Sequence, residues 1–255
     1  MKKLLFFAFC FLVHGITHCF SQVLESAVYK WSISESLKPN ADKKVLFSGS
    51  GKILALQQLT GTRVLGGGRL QFQESQSGDE LFFIIKEGTV EIALNGNVQQ
   101  LIKGSVIFLM PGDKLSIKNT HKDPVELYEM RMNAVEYNIQ RGKVDGSSFV
   151  IHWNDMVYKP HDRGGVRQLF DRKTIFMNRF DIHITSLNPG ISSHAPHTHL
   201  NEEIILMLDG ESEMLINGDS QNIRTGDAAW VGSMIPHNIT NNGKRPAVYY
   251  AIQWN

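Results

Sequence analysis

The two halves of this 255-residue chain place the same turn residues 122 positions apart. At that offset, without a gap, Gly68 falls on Gly190, Gly88 on Gly210 and Gly104 on Gly226. Asn95-Gly96 falls on Asn217-Gly218, and Asn119 on Asn241. Turn residues fix where a chain reverses, so a shared ladder of them over more than fifty positions implies two copies of one fold. The copies are expected at 22–135 and 175–255, joined by a connecting segment at 136–174.

Each copy reads as short strands between those turns. In the first, Leu81–Ile85, Thr89–Leu94, Val98–Ile102 and Val106–Met110 are separated by Glu87-Gly88, Asn95-Gly96 and Lys103-Gly104. In the second, Ile204–Leu208, Glu213–Ile216, Gln221–Arg224 and Ala228–Val231 follow the same plan. Asn-Gly is the signature of a type I′ hairpin, which needs positive φ at both central residues. Many short, evenly spaced strands predict an all-β class, a double-sheet jelly roll or small barrel in each half. No long stretch has helical periodicity, although Val23–Leu37 and the connecting segment have room for short helices.

Residues 1–21 are expected to lie outside the fold. Lys2 and Lys3 precede an unbroken apolar run from Leu4 to Val13, too short to span a bilayer as a helix but suited to a signal peptide. Cys19-Phe20-Ser21 offers a small-x-small cleavage site, so the mature chain is expected to start near Gln22, exported to the periplasm or secreted, with no lasting membrane anchor. Cleavage removes both cysteines and two lysines, taking the formal charge from +1 to about −1. A thiol-free chain suits an oxidising compartment without needing disulfides. Its balanced charge gives no footprint for nucleic acid. The expected partner is a small-molecule ligand or substrate, with homodimerisation left open.

Four ligand-type residues gather in the second copy. His197 and His199 are two apart and would share one face of a strand; Glu203 follows at even spacing, and His237 lies eleven residues after Gly226. Three imidazoles and one carboxylate would give a divalent transition metal four protein ligands and leave one or two positions for water or substrate. Mn, Fe, Ni, Zn and Cu all remain compatible. His194 could extend the set, but a loop histidine is the simpler reading. His161 and His183 are expected to be hydrogen-bonded or solvated, and Trp230 and Trp254 to pack in the core.

These spacings resemble two motifs of the cupin superfamily. Gly190, His197-Thr198-His199, Glu203 and Gly210 resemble the first, and Gly226, His237 and Asn241 the second. Six residues instead of five separate Gly190 from His197, and Gly232 and Met234 stand where the second motif has proline and glycine. The resemblance spans roughly Gly61 to the C-terminus. It implies tandem cupin barrels (double-stranded β-helix, or jelly roll) with one divalent metal per chain, in the C-terminal barrel. At the 122-residue offset the ligand positions of the first copy hold Ser75, Ser77, Leu81 and Leu115, so that barrel is expected to lack metal. Glu80, one place out of register, pairs with Glu202 and should point away from the barrel interior.

Cupins have diverse activities, so the resemblance implies only a metalloenzyme acting on a small polar molecule, with a metal-containing binding or sensor module as the alternative. The ureidoglycine aminohydrolase type shares the plan of metal in the C-terminal barrel, but its ligand order differs and its substrate does not carry over. The stretch from Lys159 to Arg179 holds six basic residues against Asp162 and Asp171, and contains Gly164-Gly165. Arginine's planar fork suits a carboxylate, so Arg167 and Arg179 are the expected substrate-binding residues; the alternative is a solvated strand whose arginines pair with Asp162, Asp171 and the other barrel.

Overall fold

The structure, a computed structural model, describes residues 22–33, 40–72, 78–144 and 147–255. The predicted signal peptide lies outside the described residues, as do Ser75 and Ser77.

The chain runs through β1 (Ala27–Tyr29), β2 (Ala41–Gly49), β3 (Leu56–Val64), β4 (Arg69–Phe72), β5 (Glu80–Glu87), β6 (Thr89–Leu94), β7 (Asn97–Ile102), β8 (Val106–Leu109), β9 (Leu115–Lys118) and β10 (Val125–Asn133). After the single-turn-and-a-half helix α1 (Ile139–Val144) come β11 (Phe149–Ile151), β12 (Lys159–His161), β13 (Gly164–Arg172), β14 (Phe180–Leu187), β15 (Glu202–Asp209), β16 (Glu211–Ile216), β17 (Asp219–Arg224), β18 (Ala228–Val231), β19 (His237–Thr240) and β20 (Ala247–Trp254). The first barrel closes a sheet ordered β11-β8-β5-β10-β3-β2 over one ordered β4-β9-β6-β7. The second closes β1-β18-β15-β20-β14-β13-β12 over β17-β16-β19. The Asn-Gly hairpins form as predicted, with φ of 49° and 87° at Asn95 and Gly96 and 52° and 92° at Asn217 and Gly218. Asn119 and Asn241 make matching staples: the first donates to Val64 O and Asp123 O, the second to Leu187 O and Arg245 O.

The segment at 136–174 is more than a connector, because β12 and β13 belong to the second barrel's large sheet and β11 to the first barrel's. Nor is the stretch after Val23 helical where it is described; β1 pairs antiparallel with β18, Ala27 opposite Trp230. Correspondingly, β11 pairs with β8, Phe149 opposite Phe108. Each barrel therefore lends the other a short edge strand, and the lent strands are themselves 122 residues apart. A three-residue strand carries too little pattern to be seen in sequence; the partner's unpaired edge creates it.

Alternation along the central strands sorts side chains between two cores. In β5, Leu81, Phe83 and Ile85 fill the first barrel, while Phe82 and Ile84 enter a core shared between the barrels. In β15, Ile205 and Met207 face the second barrel, and Ile204, Leu206 and Leu208 the shared core. Burial on both faces explains why these segments read as unbroken apolar runs. Trp230 and Trp254 lie in the shared core as expected, their indole N–H groups satisfied by Gln57 (2.8 Å) and Glu202 (3.0 Å). Glu80 also faces this core, where its carboxylate accepts the Ile175 N–H at 2.7 Å.

Candidate metal centre

His197 and His237 are held together by backbone. Each donates its N–H to the other's carbonyl, at 3.2 and 3.1 Å, in an isolated antiparallel bridge. His199 lies in the extended loop ahead of β15, not on a strand, and that loop is tied down by the Met234 N–H donating to His199 O at 2.8 Å. Glu203 enters from β15 on the inward face beside Ile205. The result is a tight histidine triad, with one ligand atom from each ring within 4.8 Å of the others.

Hydrogen bonding sets the rings for coordination. The Nδ1 atoms lie 3.3 Å from His237 O for His197, 2.9 Å from Asn201 O for His199 and 2.8 Å from Ile235 O for His237. A carbonyl can only accept, so each Nδ1 carries the hydrogen and each neutral ring presents a bare Nε2 lone pair. His199 Nε2 is buried and lacks a well-aligned hydrogen bond, with Glu203 Oε2 3.4 Å away. Converging lone pairs beside a carboxylate repel one another unless a proton or cation lies between them. These residues fit a divalent metal.

The local electrostatics agree. Burial alone would raise the Glu203 carboxyl, but the rings of His199 and His237 and the Gln253 amide hold it well below the usual carboxylate range. His237 Nε2 sits 2.9 Å from Glu203 Oε2. The Glu203 carboxylate pulls His199 upward, whereas burial, helped by the neighbouring His194 and His237 rings, lowers His197. A lowered histidine stays deprotonated, as a ligand must.

The centre opens into a cavity of about 420 Å³ inside the second barrel. His183, Thr185, Tyr249, Gln253 and Asn238 line it, with apolar walls from Ile205, Met214 and Ala251. His161, His183 and His194, which the sequence left as ordinary polar residues, all reach it, and the His194 ring stands 4.0 Å from that of His197. Strand parity was the available signal: β14 turns His183 and Thr185 inward, and β20 does the same for Tyr249, Ala251 and Gln253. Asn238 belongs to an Asn-x-Thr sequon but is buried against this wall, where no glycan fits.

Neither predicted substrate arginine lines the cavity. Arg167 follows the inward Val166 and so projects to the opposite face, sandwiched between the rings of Trp153 and Tyr158 at 4.5 and 4.7 Å. Arg179 is gripped by Asp171 and Asp181 on the exterior. Gly164 and Gly165 make room for neighbouring protein atoms: a Cβ would strike Ser186 O at the first and the Tyr158 ring at the second. From the same basic stretch it is Arg163 that reaches the cavity.

Among its described residues the first barrel has no comparable histidine cluster. Leu81 and Leu115 occupy the positions of Glu203 and His237 inside an apolar cluster. Nearby, Lys43 pairs with Glu129 and Arg131 with Asp79, each at 2.9 Å.

Residues 183–253 match the family model described as Cupin domain. The fold is a cupin fold. Solved structures agree over nearly the whole chain: the Lactobacillus farciminis oxalate decarboxylase in its formate complex matches with a TM-score of 0.69 at 12% identity, covering 91% of this chain and 87% of that one. The Escherichia coli protein Ylba matches with a TM-score of 0.68 at 15% identity, covering 91% and 93%. In sequence, a rice (Oryza sativa subsp. japonica) protein named "Probable (S)-ureidoglycine aminohydrolase" is 21% identical over 171 residues, 67% of this chain. The match spans 53% of that relative, about half its length.

Proposed function

We propose that this cupin is an exported metalloenzyme that binds one divalent transition metal in its C-terminal barrel and acts on a small polar molecule. The observation that carries the reading is the convergence of three Nδ1-anchored histidines with Glu203 beside a metabolite-sized cavity, which His197, His237 and Glu203 line. When bound, the metal supplies Lewis-acid polarisation or oxygen activation, according to its identity. The chain's own residues do the rest. Gln253 donates to Glu203 at 3.0 Å and fixes the carboxylate's orientation. Burial raises the Tyr249 phenol, so it meets a ligand as a neutral hydrogen-bond donor beside Thr185. Ile205, Met214 and Ala251 limit water in the cavity. Export is supported by the basic and apolar run at Lys2–Val13.

Elemental analysis of the purified native protein tests the centre: one transition metal per chain is expected, and His197→Ala or His237→Ala should remove it. A metal-free native protein, or one with two metals, would defeat the reading. A substrate screen with and without oxygen then separates an enzyme from the alternative, a binding or sensor module that holds a ligand without turnover. Intact mass of protein from its native host should show a start near Gln22.

A further inference from the structure

We infer that Arg163 is the recognition residue for a carboxylate on the ligand of the metal cavity, which is therefore an anion. The inference rests on the metal-site reading above and names the class of molecule that the site takes.

Among the residues lining the cavity, only Glu203 and Arg163 carry fixed charge. Glu203 is committed to the histidines. With a divalent cation in place the positive charge of the centre exceeds that of its one carboxylate, and Arg163 adds to the excess. No described carboxylate lies within ion-pairing distance of Arg163, in contrast to Arg179 and Arg131, while Arg167 is occupied by two aromatic rings. An anionic ligand would supply the missing countercharge to both the centre and Arg163.

The arginine is itself exposed, but its backbone is anchored beside the cavity. Its turn between β12 and β13 is docked by the Asn188 N–H donating to Arg163 O at 2.9 Å and by the Arg163 N–H donating to His161 Nδ1 at 3.2 Å. The next residue, Gly164 at φ 139°, packs so closely on β14 that a Cβ would lie 2.0 Å from Ser186 O. The guanidinium itself donates to Ser193 O. That bond holds the fork over the loop carrying His194 and His197 while using one of five N–H donors. A pair of parallel N–H groups suits the two oxygens of a carboxylate better than a single donor would. The Ser193 bond also offers a purely structural role, which the test must separate.

The probes are glycolate, malonate and succinate, set against their amides glycolamide, malonamide and succinamide, titrated calorimetrically into the metal-loaded mature protein. At least one carboxylate should bind tenfold or more tightly than its amide. Arg163→Gln should weaken that carboxylate at least tenfold while leaving amide binding, metal content and melting temperature unchanged. Arg163→Lys should recover part of the loss, and Arg179→Gln should change nothing. Equal binding by wild type and Arg163→Gln, no carboxylate preference in wild type, or an equal loss for carboxylates and amides would each overturn the inference. Should the native protein prove metal-free, the metal reading fails by itself. The same titrations on that protein then decide Arg163: a carboxylate-specific loss upholds it and no loss sinks it.

Discussion

At the place of Glu203 the N-terminal barrel holds Leu81, and at the place of His237 it holds Leu115. Phe83 fills space that Ile205 leaves open, and the charged pair Lys43–Glu129 sits where the second barrel has Gly165 and Ala251. One strand plan thus supports a packed interior in one half and a polar cavity in the other. The difference shows what a buried site requires. Changing two leucines to Glu and His would not be enough, because each imidazole also needs a carbonyl for its Nδ1–H and the carboxylate needs an amide like Gln253. A few partnered polar atoms and a few smaller side chains separate scaffold from site.

The sharpest way to break this comparison is to truncate equivalent positions. His237→Ala should lose all bound metal, whereas Leu115→Ala should keep it and lose about 2–5 kcal/mol of stability as a core cavity forms. Elemental analysis and denaturant titration of the two variants give both readouts, and metal loss in Leu115→Ala would erase the distinction between the barrels. Converting the site into its counterpart is the reciprocal test. The double variant Glu203→Leu/His237→Leu should melt no lower than metal-free wild type, because apolar packing replaces a crowded polar cluster. A large drop would mean that the cluster stabilises the fold without metal.

A third prediction concerns Glu80, whose partner in the repeat is Glu202. Burial pushes the Glu80 carboxyl from 4.5 up to about 7, against the hydrogen bond from Ile175. Between those values the folded protein holds a proton that the unfolded chain has released. Stability therefore falls as pH rises through this window, and the full cost stands above about pH 7. Glu80→Gln should be more stable than wild type at pH 8, by on the order of 3 kcal/mol, and equal to it below about pH 4. Chemical denaturation at the two pH values checks this; a gap independent of pH would point to altered packing instead.

The smallest effect is expected in the loop before His237. Gly112 of the first barrel has φ 93°, and its counterpart Met234 keeps a left-handed φ of 65° despite its side chain. Met234→Gly should raise stability by about 1 kcal/mol, readable as a small rise in melting temperature, with metal content unchanged.

What the sequence made legible was whatever repeats locally. The Asn-Gly hairpins, the Asn119 and Asn241 staples and the grouping of His197, His199 and Glu203 are visible as spacing, because the backbone geometry behind them is short-range; His237 joins them from 40 residues beyond His197, through the motif resemblance. Arg167 went the other way. Its charge was plain, but its direction depends on the parity of β13 and on Trp153 and Tyr158 arriving from elsewhere, so the ring sandwich was not. Arg163, four residues earlier, carries the same charge and faces the cavity; only its turn against Ser186 and Asn188 distinguishes it. The edge strands β1 and β11 were hidden for a similar reason, since each takes its conformation from a partner in the other half.

That exchange of edge strands bears on how the molecule is made. During synthesis β1 emerges about 200 residues ahead of β18, and contacts so distant in sequence form late. The first barrel cannot complete its sheet until β11 has followed it out. Neither half is then a self-sufficient folding unit, and a cut near residue 146 would leave each fragment carrying the strand that the other lacks. The half with the histidine triad can finish its sheet only with a piece of chain translated before the whole of the other barrel.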